Sequence, residues 1–128
     1  MAISIDRVDH VVLTVADIEA TCRFYTRVLG MQAKVFGDGR WALHFGKAKI
    51  NLHRQGHEFE PRATRPTAGS ADLCLIATTP IAEVVAHLRD SGVDIIDGPV
   101  QRTGALGAML SVYFRDPDGN LIEVSDYA

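Results

Sequence analysis

The sequence has few cysteines, no long apolar run and no excess of basic charge, and each absence excludes a class of protein. Its 128 residues include only Cys22 and Cys74. Two cysteines in a chain without a secretion signal are more typical of free thiols than of a disulfide framework. No run approaches the roughly 20 apolar residues that a membrane helix needs. The formal net charge is −3, which offers no basic footprint for nucleic acid or an anionic membrane.

The composition and the start of the chain are those of an ordinary cytoplasmic domain. Hydrophobic residues make up 47% of the chain and charged residues 23%, as in typical globular proteins. The N-terminal residues MAISIDRVDH carry no signal-peptide pattern. A chain of this length can bury a core of its own. We therefore expect one domain over residues 1–128, located in the cytoplasm.

The two halves of the chain show the same order of predicted elements. In the first half, about residues 5–54, β-branched residues at 8–17 predict a strand. A helix follows, which Asp17 caps and Gly30 ends. The remaining strands of this half are predicted at 31–36, 40–46 and 49–53.

The second half, about residues 70–126, repeats this order after a polar linker at about 55–69. Its first predicted elements are a strand at 70–78 and a helix that Thr79 caps, with Pro80 at its first position and Gly92 at its end. A strand at 93–97 and a Gly-rich loop at 98–107 follow. A closing hairpin turns around Pro117, Asp118 and Gly119. Such self-similarity indicates two copies of one supersecondary unit. We expect two curved sheets that face each other around a shared cavity.

A single carboxylate interrupts the last apolar strand, since Glu123 lies among apolar neighbours in NLIEVSD. The repeat offers an explanation because it pairs residues of the two halves. Setting VDHVVLTVAD against SADLCLIATT places His10 opposite Asp72, each at the start of its strand. The strand that ends each half can be compared in the same way.

The counterpart of Glu123 depends on how the two closing hairpins are aligned. Anchoring Phe45 on Phe114 and allowing one extra residue in the second turn places His53 opposite Glu123. Without the extra residue, His53 falls opposite Ile122 instead. We favour the first alignment because turn lengths vary more readily than strand faces.

Four residues with metal-capable side chains then occupy equivalent points of the repeat: His10, His53, Asp72 and Glu123. Imidazole and carboxylate donors suit zinc, iron, manganese, nickel or cobalt, and strands hold side-chain directions rigidly. Each residue also has an ordinary interpretation. A strand histidine is often satisfied or on the surface, and an inward carboxylate often pairs with an arginine. Their symmetric placement favours a metal site.

Two long motifs resemble a known superfamily. DHVVLTVADIEATCRFYTRVLGM near the start and YFRDPDGNLIEV at the end resemble the vicinal oxygen chelate superfamily, which includes glyoxalase I, bleomycin resistance proteins and extradiol dioxygenases. Within it, KINLHRQGHEFEP, PTAGSADLCLI and GPVQRTGA resemble glyoxalase domain-containing protein 5 and bacterial relatives, some labelled virulence proteins. The resemblance implies an α+β fold of two βαβββ modules that form a cupped, mostly antiparallel sheet around a central cavity.

The resemblance also implies metal ligands on the first and last strand of each module. His10 matches the first-strand ligand, and Glu123 matches the last-strand glutamate. Asp72 stands where glyoxalase I has histidine. On the fourth strand the family pattern selects Asn51, whereas the internal repeat selects His53. The resemblance further implies a homodimer and a small-molecule substrate.

The expected chemistry centres on the metal. A bound divalent ion would act as a Lewis acid toward substrate oxygens, and the resemblance to glyoxalase I implies that Glu123 also serves as a base. Arg102 and Thr103, in the predicted Gly-rich loop, could grip a substrate carboxylate or phosphate. We expect a metal-dependent enzyme of the glyoxalase or dioxygenase type acting on a small oxygenated metabolite. The alternatives are a metal-free small-molecule binding protein of the bleomycin-resistance type and a structural or partner-binding protein with a relic site.

Overall fold

The computed structural model describes residues 2–127 and divides the chain into two compact units, with the boundary between Thr67 and Ala68. Each unit contains one helix and one four-stranded sheet. This confirms the predicted α+β fold with two βαβββ modules. No helix within residues 2–127 combines the length and the apolar character that a membrane crossing requires.

The first unit contains a mixed sheet with one parallel pair of strands at its edge. Its elements are β1 (His10–Val15), α1 (Ile18–Leu29), β2 (Gln32–Phe36), β3 (Arg40–Phe45) and β4 (Ala48–Arg54). The strands lie in the order β1-β4-β3-β2. The first and last strands, β1 and β4, pair in parallel, and the other neighbours are antiparallel.

The second unit repeats this arrangement. Its elements are β5 (Asp72–Ile76), α2 (Ile81–Asp90), β6 (Asp97–Gly104), β7 (Gly107–Arg115) and β8 (Leu121–Asp126). The strands lie in the order β5-β8-β7-β6, and the first and last strands in sequence, β5 and β8, again pair in parallel. In both units, therefore, the first and last strands are direct neighbours.

The helix of each unit covers one face of its sheet and leaves the other face for polar residues. Helix α1 contacts β2, β3 and β4, where Leu43, Ile50 and Leu52 are almost fully buried. Since side chains alternate along a strand, the residues between these lie on the opposite face. The sites predicted at His10, Asn51 and His53 share that opposite face.

The caps of the first helix are as predicted. The Asp17 carboxylate accepts a hydrogen bond from the Ala20 N–H at 2.9 Å, and Gly30 has a left-handed φ of 68°. Side-chain oxygens at this position satisfy backbone N–H groups that have no partner within the helix. A left-handed residue is common where helices end, and glycine adopts it without steric strain.

The predicted cap of the second helix is wrong. Pro80 occupies the cap position, and no side chain near it in sequence caps the helix. The Ile81 N–H donates instead to Asp126 Oδ2 of strand β8 at 3.2 Å. A long-range capping contact of this kind cannot be read from the local pattern, which considers only neighbouring residues.

Two element predictions in the second half are also wrong. Residues 93–96 form no strand, and the predicted Gly-rich loop at 98–107 is mostly strand β6, Asp97–Gly104. Strand β6 pairs with β7 from Val100 to Gly104, with an irregularity between Asp97 and Val100. Pairing with a neighbouring strand has therefore overridden the weak strand propensity of glycine and proline.

Candidate functional site

Glu123 lies on the polar face of the second sheet, between its neighbours on β5 and β7. It is half-buried. In the strand register it pairs with Cys74 of β5 and Tyr113 of β7. Asp72 lies two residues before Cys74 and so points to the same face. The predicted pair of carboxylates, Asp72 and Glu123, therefore shares one face of one sheet.

Two buried serines form a hydrogen-bonded chain that ends on the Glu123 carboxylate. Ser125 Oγ donates to Glu123 Oε2 at 3.2 Å, and Ser111 Oγ lies 2.6 Å from Ser125 Oγ. Both serines are fully buried. The Cys74 thiol is 3.4 Å from Ser125 Oγ, and burial and the nearby Glu123 charge raise the pKa of this thiol. These contacts hold one Glu123 oxygen in place and keep the thiol protonated.

An arginine and a tyrosine extend this network along β6 and β7. Arg102 Nε donates to the Tyr113 hydroxyl at 3.1 Å, and Arg102 also lies 3.3 Å from Asp97 Oδ2. Burial raises the pKa of Tyr113, and Glu123 raises it further against the opposing effect of Arg102. Tyr113 therefore remains a hydroxyl at neutral pH. Thr103 alternates with Arg102 on strand β6, so it points to the other face and is exposed.

The sequence reasoning missed Ser111, Ser125 and Tyr113. Each shares strand parity with Glu123, either on β8 itself or across the pairing with β7. That parity could have identified them, provided that the register of the hairpin had been known. Serine and tyrosine otherwise carry no signal that distinguishes a network residue from a surface residue.

The turn before Glu123 is tied to the start of β5. Asp116 Oδ1 accepts from the Asp118 and Asn120 N–H groups, and Asp116 Oδ2 accepts from Asn120 Nδ2 at 2.8 Å. Asn120 Oδ1 accepts from the Ala71 N–H at 2.8 Å. Asn120 therefore connects the residue before Asp72 to the turn that leads into β8.

The first unit presents His10 at the start of β1, on the polar face of its sheet. The His10 side chain is 44% exposed, and its Nδ1 is 2.8 Å from Asp9 Oδ1. The His10 hydrogen bond lowers the pKa of Asp9. A carboxylate on one ring nitrogen orients the imidazole and leaves the other nitrogen to face a ligand, as in many metal-binding histidines.

Asn51, rather than His53, is the structural counterpart of Glu123. Asn51 pairs with Val12, two residues after His10. Glu123 pairs with Cys74, two residues after Asp72. The two relationships are the same in both sheets. The alignment that places His53 opposite Glu123 is therefore wrong.

The error arose from anchoring Phe45 on Phe114. Leu43, not Phe45, is the counterpart of Phe114, because they pair with Ile50 and Ile122 at equivalent points of the two sheets. The second turn is indeed longer by one residue, as expected. A shift of two residues keeps every side chain on its original face, so alternation in the sequence could not reveal the error.

The Asn51 side chain carries the clearest sign of a missing partner. Its Oδ1 atom is buried and has no hydrogen-bond partner among residues 2–127. A buried carbonyl oxygen without a partner costs about 1–3 kcal/mol. Such an atom is a reasonable ligand for a cation or for a donor group of a substrate.

His53 occupies a different environment from His10. It is buried, its ring centroid lies 5.5 Å from that of Phe59, and burial together with the Arg40 charge lowers its pKa. It pairs with Thr14, four residues after His10. At about 3.3 Å per residue this places the two histidines about 13 Å apart along the strands, too far for one metal ion.

Each sheet therefore offers a pair of donors rather than a complete metal site. The pairs are His10 with Asn51 and Asp72 with Glu123. The described residues 2–127 contain no group of three or more His, Cys, Asp or Glu side chains that could hold a metal ion. The donor types, imidazole nitrogen and amide or carboxylate oxygen, fit a divalent transition metal.

The sequence as a whole matches a known superfamily. The sequence profile of the Glyoxalase/Bleomycin resistance protein/Dioxygenase superfamily matches residues 7–124. The chain belongs to this superfamily. The match includes His10, Asn51, Asp72 and Glu123, the four residues at equivalent points of the two sheets.

Individual members of the superfamily are similar over almost the whole chain. Virulence protein STM3117 of Salmonella typhimurium is 60% identical over 96% of this chain and 85% of its own length. Glyoxalase domain-containing protein RDO1 of Mycosarcoma maydis is 52% identical over 98% of this chain and 70% of its own length. An integron cassette protein from the mobile metagenome of V. cholerae has a solved structure with a TM-score of 0.98 and 58% identity, covering 100% of both chains.

Proposed function

We propose that the protein is a metal-dependent enzyme that acts on a small oxygenated metabolite, with His10, Asn51, Asp72 and Glu123 as metal ligands. The observation that supports this most directly is the buried Oδ1 of Asn51, which has no hydrogen-bond partner among residues 2–127. It lies on the polar face next to β1, two positions from His10. Asp72 and Glu123 form the corresponding pair on the polar face of the second sheet.

The carboxylates of Glu123 and Asp72 would have different roles in the reaction. A divalent ion such as zinc, nickel, manganese, iron or cobalt would supply Lewis acidity toward substrate oxygens. Glu123 has one oxygen held by Ser125, which leaves the other to bind the ion or to accept a proton from the substrate. Asp72 is exposed and bears no such constraint. Glu123 is therefore the better placed of the two to act as a base.

Tyr113 completes the local arrangement as a hydrogen-bond donor. Its raised pKa keeps the phenol protonated, and Arg102 fixes its position through a 3.1 Å hydrogen bond. A phenol held next to the base can donate to an oxygen on which negative charge develops. We further expect the enzyme to work as a homodimer in the cytoplasm.

Metal content tests the proposal. Purified protein loaded with zinc or nickel should retain about one ion per chain by elemental analysis, and Glu123→Ala or His10→Ala should lose most of it. Glu83→Ala, on the exposed side of α2, is the matched control and should retain the metal. If Glu123→Ala kept its metal, the ligand assignment would be refuted. Asn51→Ala should also lose metal, whereas His53→Ala should retain it.

A metal-free small-molecule binding protein is the second candidate. The observation that favours it is that no three side chains of the His, Cys, Asp or Glu type come together among residues 2–127 in a group that could hold a metal ion. In that case no loading condition would give stoichiometric metal in the wild-type protein. Ligand binding would then be unaffected by a chelator.

A further inference from the structure

The polar face of the first sheet is rich in cationic and imidazole side chains. The residues that share this face by strand parity and register are His10, Val12, Thr14, Gln32, Lys34, Phe36, Arg40, Ala42, His44, Lys49, Asn51 and His53. None of these residues is acidic. A face with this composition produces a positive potential that favours anions.

Arg40 is the most informative cation on this face. It is half-buried, and its guanidinium carbon lies 4.1 Å from the centroid of the Phe59 ring. Within residues 2–127 it makes no ion pair or side-chain hydrogen bond. Stacking on an aromatic ring compensates part of the cost of removing the charge from water. It leaves the N–H donors in the plane of the guanidinium without a protein partner.

The neighbouring groups strengthen the same charge pattern. The Lys49 ammonium lies 3.9 Å from the centroid of the Phe36 ring, with the small, fully buried Ala42 on the strand between them. His53 next to Arg40 has a lowered pKa because of burial and the Arg40 charge. His53 is therefore a neutral donor or acceptor beside a fixed cation.

Two carboxylates that interact electrostatically with residues of this face, Asp9 and Glu58, already have partners. Asp9 Oδ1 is 2.8 Å from His10 Nδ1, and Glu58 Oε2 accepts from the Gly56 N–H at 2.8 Å. Both lie outside the strands. They moderate its charge, but neither forms an ion pair with Arg40 or Lys49.

We propose that Arg40, with Lys49, binds an anionic group of the substrate, a carboxylate or a phosphate, on the polar face of the first sheet. The planar guanidinium can donate two parallel hydrogen bonds to such a group, while the Phe59 ring holds its orientation. This differs from the expectation for Arg102, which is already partnered by Asp97 and Tyr113. The substrate is thus a small anionic oxygenated metabolite. This assignment of the anion to a substrate rests on the proposed function.

Anion binding can be tested without the metal. The protein is dialysed against a chelator and titrated with inorganic phosphate and, separately, with acetate, and binding is followed by the shifts of backbone amide signals in NMR spectra. Binding should cluster on β3 and β4. Arg40→Gln should weaken it at least tenfold, and Arg40→Lys should give an intermediate loss, since the charge remains but the planar pair of donors is gone.

Arg54→Gln is the matched control, because Arg54 is exposed on the alternate face of the same sheet and its loss should leave binding unchanged. Stronger binding of phosphate indicates a phosphorylated substrate, and stronger binding of acetate indicates a carboxylate. No binding by the wild-type protein, or equal binding by folded Arg40→Gln, would overturn the inference. Anion binding that persists in a Glu123→Ala variant without metal would support it even if the metal proposal failed.

Discussion

Replacing Asn120 by alanine should destabilise the second unit and loosen the relation between Asp72 and Glu123. Asn120 is 1% exposed. Its side chain bridges two segments, since Nδ2 donates to Asp116 Oδ2 at 2.8 Å and Oδ1 accepts from the Ala71 N–H at 2.8 Å. The variant removes one hydrogen bond from the buried Asp116 carboxylate and one from the partly buried Ala71 N–H.

The magnitude follows from these two contacts. A buried group that loses its partner costs about 1–3 kcal/mol, with the higher values for charged groups. The Asp116 carboxylate keeps its two backbone donors on Oδ1, which limits its share. We therefore expect a loss of about 2–5 kcal/mol from a total stability of about 5–15 kcal/mol. For a chain of this size the midpoint of thermal unfolding should fall by about 10 °C.

Urea unfolding followed by circular dichroism measures the loss in free energy. The control is Arg115→Ala on the same hairpin, where Arg115 is exposed and its loss should cost less than about 0.5 kcal/mol. Asn120→Ala should also bind metal less tightly, because Asn120 connects the starts of β5 and β8. If Asn120→Ala unfolds at the same urea concentration as Arg115→Ala, its contacts do not stabilise this turn.

Two further variants test the capping and the charge assignments. Asp126→Ala removes the cap of α2 at Ile81 and should cost at least about 0.5–2 kcal/mol, whereas Asp126→Asn should retain most of the stability; equal losses in urea unfolding would contradict the cap. His53 has a lowered pKa in the folded protein, so the unfolded chain binds a proton more readily and stability falls as the pH drops below about 6.5. His53→Gln should reduce this loss between pH 7 and pH 5, and an unchanged dependence would show that His53 does not cause it.

Local patterns in the sequence were sufficient for most of the fold. Alternating apolar residues and the signals at Asp17 and Gly30 located the strands and the helix of the first unit, since these features act over a few residues. The sequence was not sufficient for β6, where glycine and proline predicted a loop at 98–107. Pairing with β7, which local propensity does not include, made this segment a strand.

The candidate site divides in the same way. His10, Asp72 and Glu123 were identified from their residue types and their positions in the repeat, and they lie at equivalent points of the two sheets. Asn51 was a candidate ligand only through the resemblance to the family. Ser125 was not identified, because nothing local to a serine shows that its hydroxyl lies 3.2 Å from a carboxylate.

Patterns in the sequence were sufficient to predict two repeated βαβββ units, because alternation and helical periodicity are properties of neighbouring residues. The tertiary structure alone decided the register that makes Asn51 the counterpart of Glu123. Register depends on hydrogen bonds between strands far apart in the chain, and a shift of two residues preserves the polar and apolar faces. The structure also decided which cation lacks a partner, because that depends on the side chains around Arg40 and Arg102 rather than on their residue type.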